Sequence, residues 1–150
     1  MIYFSCMFTG HFKAVIVFMR LAMGWILFYA GLTHVMNSTW TAKPLLLQAT
    51  TLPNLFAWFA LDNHIGLVNI GNSWGLLLIG GALILGLFTR FAAFLGMILM
   101  ALYYLLLLHF PMIGEYNYIV DEHVIYFLTL ALLAITRAGD YWGLDSKISL

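Results

Sequence analysis

The Asp121-Glu122-His123 triplet is the group of residues in this 150-residue chain that is best suited to proton chemistry. Histidine changes charge near neutral pH, and adjacent carboxylates can stabilise or return its proton. An apolar run follows the triplet, so His123 is expected in the first turn of a helix. The helix dipole disfavours a positive imidazolium there, whereas Asp121 and Glu122 suit that end. These three residues are the candidate catalytic residues and form a possible proton relay.

Three tyrosines, Tyr29, Tyr103 and Tyr126, are expected at depth within apolar segments. A phenol in such a position needs a hydrogen-bond partner, and it could bind a quinone carbonyl or a transported polar group. His123 and Tyr126 are three residues apart and therefore share one side of a helix. The tyrosines are candidate quinone- or substrate-binding residues.

Arg20 is a charged residue within an otherwise apolar segment. Its spacing places it on one side of a helix with Gly24, Gly31 and His34. Small residues together with a cation normally face other helices, because a charge is costly in hydrocarbon. Arg20 and His34 are therefore added to the candidate binding residues.

Two interpretations of Arg20 remain open. The side chain could extend to the cytoplasmic surface, since it lies about a turn and a half from that end of its helix. Alternatively, it could be buried and paired with Asp140 or Asp145.

The histidines cluster at one end of the predicted topology, where His34, His64, His109 and His123 all lie. For His34 and His109, a favourable position in the last turn of a helix is the competing interpretation. A metal site of His34, His109 and His123 has suitable chemistry but lacks a short ligand spacing such as HxxxH. We predict no metal site.

Composition excludes several classes of function. The chain is 64% hydrophobic and 8% charged, against about 25% charged residues in soluble domains. Its formal net charge of zero offers no basic field for nucleic acid. Cys6 is the only cysteine, so no covalent haem or iron–sulfur cluster is expected. No nucleotide loop, nucleophile elbow or HExxH motif is present.

Four apolar segments approach the roughly 20 residues that a membrane-spanning helix needs. They are predicted at about residues 14–36, 70–88, 91–110 and 121–138. We expect one all-α domain over residues 1–150, an integral membrane four-helix bundle. Thr89 and Arg90 are taken as the turn between the second and third spans, and Pro111 as the end of the third.

The segment between the first two spans is too long for a simple hairpin connection and is rich in aromatic residues. Pro44 and Pro53 divide it, and residues 62–64 interrupt its apolar run. Short interfacial or re-entrant helices are therefore expected there rather than a fifth span.

Basic residues indicate the orientation. Lys13, Arg90, Arg137 and Lys147 fall on one side of the predicted membrane, and Lys43 alone falls on the other. Because lysine and arginine accumulate on the cytoplasmic side, both termini are predicted to be cytoplasmic in a multi-pass protein of the cell membrane.

Several short motifs resemble the DoxX/DoxD family of small membrane proteins. They are Arg20-Leu21-Ala22-Met23-Gly24-Trp25, Tyr29-Ala30-Gly31-Leu32-Thr33, Trp74-Gly75-Leu76-Leu77-Leu78-Ile79-Gly80, Gly86-Leu87-Phe88-Thr89-Arg90, Asp121-Glu122-His123-Val124-Ile125-Tyr126 and Gly143-Leu144-Asp145. The resemblance rests on their order and spacing. It implies a four-helix membrane fold and, for DoxD, the membrane subunit of thiosulfate:quinone oxidoreductase.

Two functions remain open at this stage. The chain could be a quinone-binding subunit of a respiratory or sulfur-oxidising oxidoreductase, with quinone as its cofactor. It could instead be a noncatalytic accessory subunit that stabilises a larger assembly. Both interpretations imply the lipid bilayer and other membrane subunits as partners, and a transporter is less favoured because no repeat or broken-helix pair is evident.

Overall fold

The computed structural model describes residues 2–113 and 117–148, with side chains from residue 10 onward within those ranges. Helices occupy most of these residues. They are α1 (Ile2–Met36), α2 (Lys43–Gln48), α3 (Pro53–Phe59), α4 (Asp62–Leu85), α5 (Thr89–Leu107), α6 (Glu122–Ile135) and α7 (Asp145–Ile148). A short 3-10 turn, Ala138–Asp140, lies between α6 and α7.

Three helices are long and apolar enough to cross a membrane: α1 from Gly10 to Met36, α4 and α5. Helix α6 is also apolar, but it has 14 residues. At 1.5 Å per residue it measures about 21 Å, which is less than a hydrocarbon core of about 30 Å. The prediction of a helical membrane protein is confirmed at this level.

Helix α4 begins at Asp62 rather than near Ile70. The polar residues 62–64 were interpreted as a break, but they form the exposed first turn of the helix. Asp62 suits that position because a carboxylate interacts favourably with the positive end of the helix dipole. The helix therefore begins about eight residues before the predicted start of the second span.

The turn between α4 and α5 lies at residues 86–88, before the predicted Thr89-Arg90 pair. Gly86 has a φ of 65°. The Leu87 N–H donates to Ala82 O at 2.9 Å, and the Gly86 N–H donates to Leu83 O at 3.2 Å. These two bonds form a Schellman motif, in which glycine tolerates the left-handed conformation that ends the helix.

A small antiparallel sheet, absent from the predicted all-α fold, follows α5. Its strands are β1 (Leu108–His109), β2 (Met112–Ile113) and β3 (Asn117–Tyr118), paired in that order. Helix α5 consequently ends at Leu107, before the predicted stop at Pro111.

Glycines allow α1 and α4 to approach each other closely. A Cβ atom at Gly80 would meet the backbone of Phe28, and one at Gly31 would meet the backbone of Leu77. A Cβ atom at Gly24 would lie 3.0 Å from Gly80 O. The prediction that Gly24 and Gly31 face another helix is confirmed, as expected for small residues between membrane helices.

Short helices were predicted between the first spans, and the structure has two there, α2 and α3. Leu46 of α2 and Phe56 of α3 are buried in a second apolar cluster with Leu106 of α5. Asn69 of α4 accepts a hydrogen bond from the Ala42 N–H at 2.9 Å, next to α2. Helices α2 and α3 thus pack at one end of the bundle, against the N-terminal half of α4 and the C-terminal end of α5.

We predict that Gly80→Ala destabilises the bundle by about 1–3 kcal/mol, because the added methyl group has no space against α1. Gly75→Ala is the matched control in the same helix, since a Cβ atom at Gly75 meets nothing within 4 Å. Alanine favours a helix over glycine by about 1 kcal/mol, so the control should be neutral or stabilising. Thermal unfolding in detergent, followed by circular dichroism, measures both. Equal melting temperatures would contradict the packing at Gly80.

Candidate functional site

Two polar clusters lie at opposite ends of α5. The histidine site consists of Asp121, His123, Tyr103 and Asn72. The arginine cluster consists of Arg20 and the carbonyl groups of the segment that follows α6.

Asp121 builds the histidine site from the start of α6. Its Oδ1 accepts the backbone N–H groups of His123 at 3.1 Å and Val124 at 3.2 Å, so it caps the helix. Its Oδ2 lies 2.6 Å from His123 Nδ1. Because an ionised carboxylate only accepts hydrogen bonds, Nδ1 carries a proton and Nε2 remains for a ligand. Asp121 is 6% exposed, so this pair is largely shielded from solvent.

Tyr103 of α5 connects the histidine to α4. Its ring stacks on His123 with the ring centroids 5.6 Å apart. Its hydroxyl donates a hydrogen bond to Asn72 Oδ1 at 2.8 Å. Tyr126 approaches His123 edge-on, with the centroids 6.3 Å apart. The structure therefore brings together four of the predicted site residues, Asp121, His123, Tyr103 and Tyr126, while Glu122 is exposed beside them.

Two apolar cavities flank this group. The α2–α5 cavity has a volume of about 270 Å³ and is lined by Leu46, Phe56, Phe59, Val68, Gly71, Asn72, Leu99, Leu102, Tyr103 and Leu106. The α5–α6 cavity has a volume of about 260 Å³ and is lined by Met100, Ala101, Tyr104, Leu105, His123, Val124 and Phe127. Tyr103 reaches the first cavity and His123 reaches the second.

Sequence reasoning missed Asn72. Its Nδ2 is buried and has no hydrogen-bond partner. The available signal was an uncharged amide in the middle of an apolar helix, where a polar group normally needs a partner. Only the fold places this amide against Tyr103.

Tyr29 and His34 lie away from the histidine site. Tyr29 is 56% exposed on α1, and its ring stacks on Trp25 at a centroid distance of 6.0 Å. His34 stacks on Trp40 at 3.9 Å, beside a separate cavity of about 160 Å³ between α1 and α4. Neither residue contacts the Asp121–His123 pair.

The histidines grouped at one end do not converge on a common point. His109 Nδ1 lies 3.2 Å from Thr50 Oγ1, whereas His34 and His123 have the partners described above. Among residues 2–113 and 117–148, no three histidine, cysteine, aspartate or glutamate side chains are placed to hold a metal ion. The described residues therefore offer no support for the three-histidine metal site considered above.

Arg20 is 2% exposed, although it carries a charge. Its Nη1 donates to Ala138 O at 2.7 Å and to Tyr141 O at 3.0 Å, and Nη2 lies 3.5 Å from Trp142 O. Neither Asp140 nor Asp145 forms an ion pair with it. Both interpretations of Arg20 therefore need correction: the side chain is buried, but backbone carbonyls rather than a carboxylate bind it.

Two glycines make room for the Arg20 guanidinium. A Cβ atom at Gly143 would lie 2.8 Å from Nη1, and one at Gly86 would lie 2.7 Å from it. Gly86 belongs to the turn between α4 and α5, whereas Gly143 follows α6. The arginine thus lies where three parts of the chain meet without intervening side chains.

Asp145 binds the segment that follows α6 to the start of α5. Its Oδ1 accepts the Phe88 N–H at 2.6 Å, and its Oδ2 accepts the Thr89 N–H at 2.9 Å. Its own N–H donates to Gly86 O at 2.8 Å. A residue 56 positions away in sequence therefore caps α5, because Phe88 at the N-cap position has no side-chain acceptor.

The chain matches no protein-family model, no curated protein and no solved structure. The two clusters are therefore interpreted from their geometry and chemistry.

We predict that Arg20→Leu destabilises the protein by about 3 kcal/mol, because hydrogen bonds from a charged group contribute about 1.5–3 kcal/mol each and several carbonyls lose their donor. Arg20→Lys should be intermediate, since an ammonium cannot reproduce the planar arrangement of donors. Arg90→Leu is the control, because Arg90 is exposed at the same end. The measurement is thermal unfolding in detergent. A loss for Arg20→Leu no larger than that for Arg90→Leu would contradict a buried structural role.

Proposed function

We propose that this protein is the quinone-binding membrane subunit of an oxidoreductase, with its site at Asp121, His123 and Tyr103. The observation that carries the proposal is the 2.6 Å contact between Asp121 and His123, stacked on Tyr103 and flanked by apolar cavities. Such a site combines a group that exchanges protons near neutral pH with space for a lipophilic ligand. The motifs similar to the DoxX/DoxD family favour the same reaction class.

The proposed architecture is a membrane bundle of four crossing helices, α1, α4, α5 and α6, with α2 and α3 at the interface. Helix α6 begins beside Tyr103 of α5, and the segment after it returns to Phe88 at the start of α5. Helix α6 and the segment after it together therefore extend over most of the length of α5. The short length of α6 is compensated by the residues that continue it to the arginine cluster.

The proposed orientation places the histidine site at the outer side and the arginine cluster at the cytoplasmic side. Lys13, Arg90, Arg137 and Lys147 support this orientation, because basic residues favour the cytoplasmic side. Both termini are then cytoplasmic, and the partly buried His123 lies next to the exposed Glu122 at the outer side.

Reduction of a quinone to a quinol takes up two electrons and two protons. In this proposal a reduced sulfur anion such as thiosulfate, oxidised on a partner subunit, supplies the electrons. The imidazole of His123 exchanges protons with the outer aqueous phase, and Asp121 holds the ring in one tautomer. Tyr103 stacks on this imidazole and lines the space for the quinone ring. Asp121 and Glu122 repel anions, so the sulfur anion binds on the partner.

A noncatalytic accessory subunit is the second candidate function. Gly71 and Gly75 are four residues apart on α4, and a Cβ atom at either would meet nothing within 4 Å. Small residues at this spacing allow another helix to approach closely. This feature favours attachment to a larger membrane assembly, and it suits either function.

The proposed topology predicts opposite labelling of two introduced cysteines. Ser38→Cys should react with a membrane-impermeant thiol reagent from outside intact cells, and Ser146→Cys should react only after the membrane is opened. Both positions are exposed, and Cys6→Ser provides the background without native cysteine. Outside labelling of Ser146→Cys but not of Ser38→Cys would reverse the proposed orientation. Outside labelling of both variants would contradict the crossing by α6.

The proposed reaction predicts that His123→Ala lowers sulfur-dependent quinone reduction by about 10²-fold, the usual lower range for loss of an acid–base group. Asp121→Asn should also lower it while the bundle stays assembled, because asparagine still caps a helix. The assay uses native membranes in which each variant replaces the parent chain, with rates measured across pH at matched protein levels.

His34→Ala and His109→Ala are the controls for this experiment, because neither residue contacts the Asp121–His123 pair. Both should keep the parent rate and its dependence on pH. His123→Ala should lower the rate at every pH tested. If its rates equal those of the parent at every pH, the catalytic proposal fails and the accessory function remains.

A further inference from the structure

We infer that the ring headgroup of the quinone binds in the α2–α5 cavity, where the unpaired amide of Asn72, held by Tyr103, hydrogen-bonds one of its carbonyl oxygens. The inference rests on the proposed function and adds to it a binding cavity and a residue, Asn72, that selects the ligand. It also places the Tyr103 ring between the ligand and His123, so that His123 exchanges protons with the ligand through water rather than by direct contact.

The hydrogen-bond inventory of Asn72 and Tyr103 is incomplete without a ligand. The amide carries two donor hydrogens and the phenol carries one. The 2.8 Å bond between the two side chains uses one of the three. This count is the same in either orientation of the amide. The remaining amide donors are buried and unpaired, which is unfavourable because they have lost their hydrogen bonds to water. A ligand carbonyl would remove that cost.

The cavity has the size and lining that such a ligand needs. A cavity of about 150 Å³ is enough to hold benzene, so about 270 Å³ has room for a substituted ring but not for a long tail. Apart from Asn72 and Tyr103, its lining consists of apolar side chains and Gly71. Leu102 lines the cavity and is 43% exposed, so the tail can leave along its side of α5 toward lipid.

The α5–α6 cavity is less suitable for a carbonyl headgroup. The Tyr104 hydroxyl, one of its two polar side chains, already donates to Ile119 O at 2.7 Å. His123 Nδ1 is engaged by Asp121. A ligand carbonyl there would find no donor, because His123 Nε2 accepts hydrogen bonds when Nδ1 carries the proton. The α2–α5 cavity instead offers unpaired amide donors beside a phenol.

The test measures binding of a benzoquinone with a decyl chain to the purified, delipidated protein in detergent, by equilibrium dialysis. Gly71→Leu fills the α2–α5 cavity, and the protein tolerates the change because a Cβ atom there meets nothing within 4 Å. Gly75→Leu, one helical turn further along, is the matched control outside the cavity. Asn72→Leu removes the donors, and Ala101→Leu obstructs the α5–α6 cavity.

We expect dissociation constants roughly tenfold higher for Gly71→Leu and Asn72→Leu, consistent with the loss of cavity space and of one hydrogen bond. Gly75→Leu and Ala101→Leu should stay within about twofold of the parent, as expected for changes that touch no ligand. Circular dichroism and thermal unfolding identify any variant that fails to fold. A photoreactive quinone should label the α2–α5 cavity rather than residues 123–127.

The possible failures are distinguishable. If the parent protein does not bind the quinone, both the inference and the quinone function fail. If the parent binds it and both Gly71→Leu and Asn72→Leu bind equally well, the α2–α5 assignment is wrong and the quinone function stands. Selective weakening by Ala101→Leu would place the headgroup beside His123 instead.

Discussion

The guanidinium of Arg20 is a permanent charge inside an apolar bundle, and it cannot lose its proton to avoid burial. Its donors bind the carbonyls of Ala138 and Tyr141, which belong to the segment after α6. Stable burial of this charge requires α1, the turn between α4 and α5, and the end of α6 to assemble together. The interaction therefore joins segments more than 100 residues apart in sequence. The glycines at 86 and 143 are consequences of this requirement, because a side chain at either position would occupy the space of the guanidinium.

Both ends of the bundle contain buried polar atoms without a partner, Arg20 Nε and Thr89 Oγ1 at one end and Asn72 Nδ2 at the other, and they differ in the contacts around those atoms. At the arginine cluster, Asp145 caps α5 with both of its carboxylate oxygens and its backbone pairs with Gly86. At the histidine site, Asp121 and His123 are paired, but the amide of Asn72 retains unpaired donors beside a cavity. In a low-dielectric interior, a satisfied polar network rigidifies the structure, whereas an unpaired group is costly. The first end joins α5 to the segment after α6 through the Asp145 hydrogen bonds. At the second end the unpaired amide lies beside an apolar cavity, which suits that end to binding a ligand.

Helices α2 and α3 give the histidine end its enclosed space. Two long helices alone would leave the side of α4 and α5 near Asn72 open to lipid. Leu46 and Phe56 pack onto Leu106 and form a wall opposite Gly71, where the lack of a side chain leaves room. The aromatic segment between the first two predicted spans therefore has a structural role at the cavity. This role also explains why the segment contains few charged residues although it does not cross the membrane in the proposed topology.

Local pattern was sufficient for the parts of this protein that depend on neighbouring residues. The apolar runs predicted the long helices, and an acidic residue before an apolar run predicted the start of α6, where Asp121 is the cap. Glycine spacing predicted the side of α1 that packs on another helix. The helix boundaries at Asp62 and Leu107 were harder to predict. Polar residues such as 62–64 can begin a helix as well as interrupt one, and a uniformly apolar run does not show where a helix gives way to a short sheet.

The sequence by itself determined the apolar helices, the cation within the first of them and the acid–histidine triplet, because each follows from composition or from spacing along one element. Only the tertiary structure decided what those residues contact. The partners of Arg20 are backbone carbonyls, which have no signature in the amino-acid sequence. Asn72 meets Tyr103 across 31 positions of chain, and Tyr29 faces away from the bundle although its residue type suited a site. Periodicity defines which residues share one face of a helix. What that face contacts depends on how the helices pack against one another.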